Sequence, residues 1–322
     1  MKVTLQEIRE RTYKPVDAWW TVLLVDPLAS RLVRQVAPYR WITPNVLTLV
    51  ATVIGVGAMV CFATGERWGL IAGAVLFHLS FVVDCMDGKI ARLNGTGTIF
   101  GQWLDFVLDR VRVFFCAITL FGGQYLQTEN IAYLWVMAVA VFLDLFRYLN
   151  GQQMAKVRRV MREQIEALRP EIASAASVAP MASVASVASA ASAASVAAGT
   201  AEPVSAAPAA APAARPSLKR RVGDTLRRNR IRTHLFSGIE YEMFVFIVGP
   251  LLGLVIPVTI LAGAGLLVFE MFLILKLLRA CQQHPAKLAK AEAEYAAWQS
   301  GQVPAAPAPA PAAPISGIPT TV

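Results

Sequence analysis

Six long apolar stretches constrain the fold of this chain more than any other feature. Each is close to the roughly 20 residues that a helix needs to cross the hydrocarbon core of a bilayer. The chain is 56% hydrophobic and only 16% charged, a composition typical of integral membrane proteins. We therefore predict an all-α integral membrane protein with six transmembrane helices. The stretches lie at approximately 45–65, 67–92, 98–124, 130–152, 239–256 and 257–279.

The distribution of lysine and arginine predicts how the chain crosses the membrane. These residues collect before the first apolar stretch, between the second and third, between the fourth and fifth, and after the sixth. Because cytoplasmic loops are enriched in them, we expect a multi-pass cell membrane protein with both ends in the cytoplasm. The same placement accounts for the formal net charge of +9, so we expect no nucleic-acid partner.

The chain outside the spans falls into regions of distinct composition. The first 42 residues mix Trp19, Trp20 and leucines with arginines, as in an amphipathic helix lying in the membrane interface. An amphipathic helix packed on the protein's own cytoplasmic face fits that pattern equally well. The predicted regions are 1–42 as this amino-terminal helix, 43–160 as the first four spans, 161–235 as a linker, 236–282 as the last two spans, and 283–322 as a cytoplasmic tail.

Two of these regions have little bulky apolar surface to bury. The linker is basic at its ends and rich in alanine, serine and proline between them. The tail contains a short charged helix around 285–299 and then proline-alanine repeats. Since such segments cannot form a packed core, we predict a largely disordered linker and a disordered end of the tail.

Four aspartates lie where charge is least expected. Asp84 and Asp87 lie near the end of the second apolar stretch, and Asp105 and Asp109 lie in the third. A charged side chain at bilayer depth costs roughly 2.5–3.5 kcal/mol on insertion scales, and nothing structural requires that cost. Residues three or four apart share one face of a helix. A polar turn between the stretches would make the two helices antiparallel neighbours, so we expect the pairs to converge at the cytoplasmic surface.

The residue types around the aspartates indicate metal and phosphate binding. Converging carboxylates cannot all stay ionised without cations, and hard oxygen ligands suit Mg²⁺ or Mn²⁺. Shared carboxylates can bridge two ions about 3.5–4 Å apart, as in two-metal phosphoryl transfer. Gly88, Ala91 and Gly101 leave room for a bulky group on the same faces. Arg92, one turn beyond Gly88, can hold a phosphate bidentately.

The spacing of these residues resembles a known signature, that of the CDP-alcohol phosphotransferase family. Eight defined positions at fixed spacing make the resemblance specific. It extends more loosely to the six-span layout and to the Thr43-Pro44-Asn45 start of the first span, but not to the amino-terminal arm, the linker or the tail. The matching residues are Asp84-x-x-Asp87-Gly88-x-x-Ala91-Arg92 and, eight residues later, Gly101-x-x-x-Asp105-x-x-x-Asp109.

The resemblance implies an enzyme of phospholipid synthesis that works at the cytoplasmic face of the membrane. It would transfer a phosphoalcohol group from a CDP-linked donor, such as CDP-diacylglycerol, to an acceptor hydroxyl and release CMP. The four aspartates would ligate two Mg²⁺ or Mn²⁺ ions, and Asp109 would also act as the general base. The family further implies a homodimer among membrane lipids. The residues that would hold the CDP group are Asp84, Gly88, Ala91, Arg92 and Gly101.

The acceptor site is less well defined in the sequence. Arg112 lies near the face of the aspartates, where it would contact an acceptor phosphate or pair with an aspartate, and both remain open. Asp144 and Arg147 are three residues apart, which favours an ion pair between them, although Arg147 could turn to an anionic acceptor. Arg232 and His234 are candidates by location alone.

Other classes of protein also place charges in membrane spans. An ion- or proton-coupled transporter would need such aspartates, but transporters usually contain internal repeats, and the two halves of this sequence show none. A structural alternative is a buried ion network of the aspartates with Lys89, Arg110 and Arg112. Glu270, near the middle of the sixth span, is expected to pair with an arginine. The complete signature favours the enzyme.

Overall fold

The structure is a computed structural model that describes residues 4–39, 41–168, 225–226, 228–232 and 236–300. These residues form helices and no β-strand, as predicted, and a single bridge joins Asp17 to Ile231. Most of the linker and the tail from residue 301 lie outside the described residues, so their disorder stays a prediction. The helices are α1 (Leu5–Thr12), α2 (Asp26–Val36), α3 (Pro44–Ala63), α4 (Arg67–Asn94), α5 (Ile99–Thr128), α6 (Ala132–Glu166), α7 (Gly238–Met243), α8 (Gly249–Leu252) and α9 (Val255–Gln299), with π-helical turns at Thr21–Val25 and Phe244–Val248.

The chain divides into two compact units. The first consists of residues 1–152 and 218–276 and contains the candidate site. The second consists of residues 153–217 and 277–322 and includes the carboxyl-terminal parts of α6 and α9. Within the second unit, the side chains of His284 and Gln164 are hydrogen-bonded at 2.7 Å.

Four of the helices, α3, α4, α6 and α9, are long and apolar enough to cross a membrane. The all-α membrane class is therefore confirmed. The third predicted span is α5, which has 30 residues but carries four charged side chains between Asp105 and Arg112. The fifth corresponds to the helical run from Gly238 to Leu252. The number of six spans stays a prediction.

Two predicted boundaries near the carboxyl end differ in the structure. Gly253 adopts a left-handed conformation with φ 71° and ends α8, so the boundary between the fifth and sixth stretches lies there and not at 256–257. Pro257 falls in the first turn of α9, where a missing backbone N–H leaves no helical bond unmade. The separate helix predicted around 285–299 is instead a continuation of α9, which passes Pro285 and ends at Gln299.

The amino-terminal helices pack against α4. Ile8, Val25 and Val33 are fully buried in the common core. One face of this arm is therefore packed against the rest of the protein, as the second of the two interpretations of its sequence predicted. On the other face, Leu23 and Leu24 are 56% and 46% exposed. Contact of that face with the membrane interface stays a prediction.

The ends of α3, α4 and α5 are defined by local capping. The Thr43 hydroxyl accepts a hydrogen bond from the Val46 amide, and Pro44 begins α3, as predicted. Gly95, with φ 65°, ends α4 in the left-handed conformation that glycine adopts without strain. Thr98 caps α5 by accepting from the Gly101 amide at 2.9 Å. The short connection makes α4 and α5 a hairpin, which brings the two halves of the aspartate motif together.

Gly123 allows α5 to approach the backbone of α3. A Cβ at Gly123 would lie 2.4 Å from the carbonyl oxygen of Phe62 and 3.0 Å from that of Ala63. The neighbouring Gly122 has no such neighbour within 4 Å. Because the obstructing atoms are backbone, a side chain at Gly123 would force the helices apart.

We expect Gly123→Ala to lower the free energy of unfolding by about 1–3 kcal/mol, the usual cost of overpacking. Gly122→Ala is the matched control and should be neutral or stabilising by about 0.5–1 kcal/mol, because alanine is the better helix former. Thermal unfolding in detergent measures both. Equal melting temperatures for the two variants would contradict the close contact.

Candidate active site

Three of the four aspartates come together between α4 and α5. One carboxylate oxygen from each of Asp84, Asp105 and Asp109 lies within 4.8 Å of the others. The buried Oδ1 of Asp105 has no hydrogen-bond partner in the described part of the chain. An unpartnered buried oxygen is costly, and a hard divalent cation is the ligand that such carboxylates satisfy best. The donor set therefore fits Mg²⁺ or Mn²⁺.

Asp87 faces a different neighbour from Asp84. Its Oδ2 accepts a hydrogen bond from the hydroxyl of Thr48 on α3. Two positions three residues apart on an α-helix point about 60° apart, so Asp84 turns toward α5 and Asp87 toward α3. Asp87 and Asp105 nevertheless line the same cleft. Asp87 thus lies beside the group of three. Asp105 belongs to that group and also lines the cleft together with Asp87.

The cleft lies between the amino-terminal ends of α3 and α5 and the carboxyl-terminal end of α4. Its walls include all three small residues of the motif, Gly88, Ala91 and Gly101. A Cβ at Gly101 would lie 3.0 Å from Oδ1 of Asn45, also in the wall. A larger residue there would press on the Asn45 side chain and take up space in the cleft.

Arg92 lies beside Gly88, which lines this cleft. Its Nη1 and Nη2 atoms are 3.4 and 3.7 Å from the position that a Cβ of Gly88 would occupy. Its Nε donates a hydrogen bond of 2.8 Å to the backbone carbonyl of Thr12, at the end of α1. The amino-terminal arm therefore contacts the motif, although the family resemblance does not extend to it.

Arg112 is buried among the aspartates. Its Nη1 lies 3.3 Å from Oδ1 of Asp84 and 3.2 Å from the hydroxyl of Ser80, and its Nη2 donates to Asp109. Of the two roles considered for Arg112, pairing with aspartate is the one seen in this structure. It joins the aspartates of α4 and α5 and orients the carboxylate of Asp109.

The predicted ion pair between Asp144 and Arg147 is wrong. Asp144 instead pairs with Arg110 of α5 at 2.8 Å, and Arg147 pairs with Glu270 of α9 at 3.0 Å. The two side chains on α6 point about 60° apart, so each reaches a different neighbouring helix. The expectation that Glu270 pairs with an arginine is confirmed.

The structural alternative, a closed network of the aspartates with three cations, is incomplete. Arg110 binds Asp144 and Glu242, the latter at 3.1 Å. Lys89 binds Asp26 of α2 at 2.7 Å. Within the described residues, Arg112 is the one cation of the three that pairs with the signature aspartates. Their remaining oxygens are left for ligands.

The other two acceptor candidates lie in the segment before α7. Nη2 of Arg232 is 3.5 Å from Oδ1 of Asp17 in the amino-terminal arm. His234 lies outside the described residues. A role for either residue in binding an acceptor stays a prediction.

Sequence reasoning missed two contributors to the site. Thr48 holds Asp87, and the available signal was its position one turn after Pro44, at the start of a helix that leads into the motif. Thr12 contributes only its carbonyl oxygen, and a main-chain contact of this kind leaves no pattern in the side chains.

The region that contains the site is similar to known proteins. A phosphatidylinositol phosphate synthase of Corynebacterium glutamicum is 39% identical over 90 residues, which are 28% of this chain and 37% of that protein. One of Mycolicibacterium smegmatis is 39% identical over 83 residues, 26% and 36% of the two chains. A bifunctional IPC transferase and DIPP synthase of Aquifex aeolicus is 33% identical over 86 residues, 26% and 19% of the two chains.

The similarity to these relatives is confined to part of each chain, little more than a third of either synthase. The family profile named CDP-alcohol phosphatidyltransferase matches a longer range, residues 41–201, which is half of the chain and includes all eight signature positions. Since that range also forms the aspartate group and the cleft, sequence and geometry agree that the chain belongs to the CDP-alcohol phosphatidyltransferase family.

Proposed function

We propose that this protein transfers a phosphatidyl group from CDP-diacylglycerol to the hydroxyl of an acceptor and releases CMP, as a step of phospholipid synthesis. The observation that carries the proposal is the group of Asp84, Asp105 and Asp109 beside a cleft walled by Gly88 and Gly101. Family membership supports the reaction type, and the similarity to two phosphatidylinositol phosphate synthases supports a phosphatidyl donor.

Two Mg²⁺ or Mn²⁺ ions are proposed at the aspartates. Asp84, Asp105 and Asp109 would hold one ion, and Asp87 with Asp105 would hold the second, because Asp105 belongs to both groupings. When bound, the ions would neutralise the diphosphate and stabilise the negative charge that develops on CMP as it leaves.

The proton chemistry is assigned to Asp109. Its carboxylate is partly exposed and fixed on one side by Arg112, so its free oxygen can accept the proton of the acceptor hydroxyl. The hydroxyl oxygen then forms its bond to the phosphorus that carries the diacylglycerol. The bond from that phosphorus to the bridging oxygen breaks, and CMP takes both electrons with it.

The donor is proposed to lie in the cleft. Gly88, Ala91 and Gly101 line the cleft, and their small size would leave room for the CDP group to pack against the helix backbones. The Nη atoms of Arg92, beside Gly88, would bind a phosphate oxygen through charge-assisted hydrogen bonds. Asp84 would contribute through the ion that it holds.

The acceptor proposed for the first test is an inositol phosphate, because the two synthases carry that product in their names. Its phosphate would be bound by residues drawn from Arg112, Arg147, Arg232 and His234. The three described arginines are paired with carboxylates of the chain, so an anionic acceptor must share or displace those pairs.

The assembly in the membrane is also a proposal. We place six spans, with both chain ends and the cleft on the cytoplasmic side, and a homodimer as the working unit. The four helices that are long and apolar enough support four of the spans, and the lysine and arginine pattern supports their orientation. The homodimer rests on the family resemblance alone.

The decisive experiment is transfer by the purified protein. Labelled CDP-diacylglycerol is incubated with Mg²⁺ or Mn²⁺ and with inositol phosphate, glycerol phosphate or serine, one acceptor at a time. We expect CMP and a new lipid with one of these acceptors. Mass spectrometry of the product identifies the acceptor. Absence of CMP with all of these and with CDP-linked head groups would contradict the proposed function.

Removal of divalent metal should abolish CMP release. Chelation with EDTA leaves carboxylates that repel the donor diphosphate, so we expect activity to fall to background and to return when Mg²⁺ or Mn²⁺ is added in excess. Sodium chloride at matched ionic strength is the control and should not restore it. Full activity in EDTA would rule out the metal assignment.

A further inference from the structure

A backbone carbonyl of the amino-terminal arm orients Arg92. The last carbonyls of a helix lack partners within the helix, and α1 ends at Thr12, whose carbonyl accepts the Nε hydrogen of Arg92 at 2.8 Å. This bond restricts the orientation of the guanidinium. Its two Nη groups, which have no protein acceptor in the described part of the chain, lie beside Gly88 at the cleft.

Tyr13, the next residue, is held from several sides. Its ring faces the guanidinium of Arg230 at 4.1 Å and the ammonium of Lys89 at 5.3 Å. Its hydroxyl is 2.7 Å from that of Ser30 on α2. Cations over an aromatic face are attracted by the ring quadrupole. The peptide between Thr12 and Tyr13 is therefore fixed against α4.

Asp26 joins the two cations that flank Tyr13. Its Oδ1 accepts from Lys89 at 2.7 Å and its Oδ2 from Arg230 at 3.1 Å. Asp26 and Lys89 are only 2% and 4% exposed, so little water screens their interaction. Lys89 lies one turn before Arg92 on α4. The carboxylate thereby links the carboxyl-terminal end of the linker to the motif helix.

Arg230 is held in a conformation that its residue type rarely adopts. Its φ of 63° lies in the left-handed region, which costs energy for residues other than glycine. Its carbonyl accepts from the Asp17 amide at 2.8 Å, and its Nε donates to the Lys14 carbonyl at 3.0 Å. Contacts on both main chain and side chain maintain this conformation against the arm.

We propose that Arg230 is a positioning residue for donor binding. Through Asp26 and Tyr13 it keeps the Thr12 carbonyl against Arg92, so that the Nη atoms of Arg92 face the donor diphosphate before it arrives. A pre-oriented guanidinium loses less freedom on binding, which strengthens the complex. This inference rests on the proposed function, since it concerns the arginine assigned to the donor.

The test compares donor binding by full-length variants with Mg²⁺ present. Arg230→Gly removes the guanidinium and suits the φ of 63°, whereas changing Asp26 would leave buried Lys89 without its partner. We expect the Kd for CDP-diacylglycerol and its KM to rise about threefold to tenfold, with kcat at saturating donor unchanged. Arg228→Ala, at an exposed position of the same segment, is the control and should bind like the wild type.

A double-mutant cycle separates positioning from general weakening. If Arg230 acts through Arg92, then Arg230→Gly should have no further effect on donor Kd in an Arg92→Ala background. Arg230→Lys should recover part of the binding, because an ammonium can still pair with Asp26, and it replaces Arg230→Gly in the cycle if that variant does not fold. An Arg230→Gly Kd equal to the wild type, or equal effects in both backgrounds, would overturn the inference.

The outcome is distinguishable from failure of the proposed function. A wild type that binds CDP-diacylglycerol but releases no CMP with any acceptor would refute the transferase, while the cycle in donor Kd would still decide the role of Arg230. A wild type that transfers normally with an uncoupled cycle would refute the positioning role alone.

Discussion

Asp109→Asn is expected to reduce CMP release by about 10²- to 10⁴-fold, the range that a general base contributes. The amide cannot accept the acceptor proton, but its oxygen can still accept a hydrogen bond from Arg112, so the local structure should persist. The rate is measured with labelled CDP-diacylglycerol at saturating donor and acceptor.

Two controls make this result specific to Asp109. Glu66→Gln, at the exposed start of α4 and far along that helix from the cleft, should retain wild-type turnover. The melting temperature of Asp109→Asn in detergent should stay near that of the wild type. If the variant turned over at nearly the normal rate, the proton would have to be accepted by another group.

Asp105→Asn should produce a comparable loss of activity by a different route. Asp105 belongs to the group of three carboxylates and also lines the cleft with Asp87, and its Oδ1 is buried without a protein partner. Replacing a charged ligand by a neutral amide should weaken Mn²⁺ binding by more than the roughly 10–100-fold that follows loss of an outer partner.

Electron paramagnetic resonance of free Mn²⁺, titrated with protein in the absence of substrate, measures this loss without reference to turnover. Glu129→Gln is the control on the same helix, because that carboxylate is exposed at the far end of α5. Unchanged Mn²⁺ binding by Asp105→Asn would remove Asp105 from the proposed ligands.

The core of the site could be predicted because it depends on local geometry. Spacings of three and four residues put each pair of aspartates near one helix face, and the short turn before Thr98 reverses the chain direction between α4 and α5, both of which pack against α3. That is enough to bring Asp84, Asp105 and Asp109 together. The contact between Asp87 and Thr48 could not be predicted in this way, because Thr48 lies on a third helix, α3. The spacing of residues within the motif does not determine where α3 lies relative to α4 and α5.

The wrong prediction of an ion pair between Asp144 and Arg147 also arises because contacts between helices cannot be derived from spacing within one helix. The spacing of Asp144 and Arg147 along one helix predicts an ion pair between them, whereas their observed partners come from α5 and α9. Polar side chains inside an apolar unit are satisfied by tertiary neighbours, since the alternative is an uncompensated charge. The contact between Thr12 and Arg92 was unforeseeable for another reason, because a main-chain carbonyl is present at every residue.

The close contact at Gly123 has a mechanical consequence for the cleft. At that end, α3 and α5 meet without intervening side chains, and Gln124 donates to the Gly65 carbonyl at 2.6 Å. At the other end, the same helices face each other across the cleft at Asn45 and Gly101. α3 and α5 are thus in contact both at Gly123 and beside the cleft, so a substitution that forced the two helices apart at Gly123 would also displace one wall of the cleft.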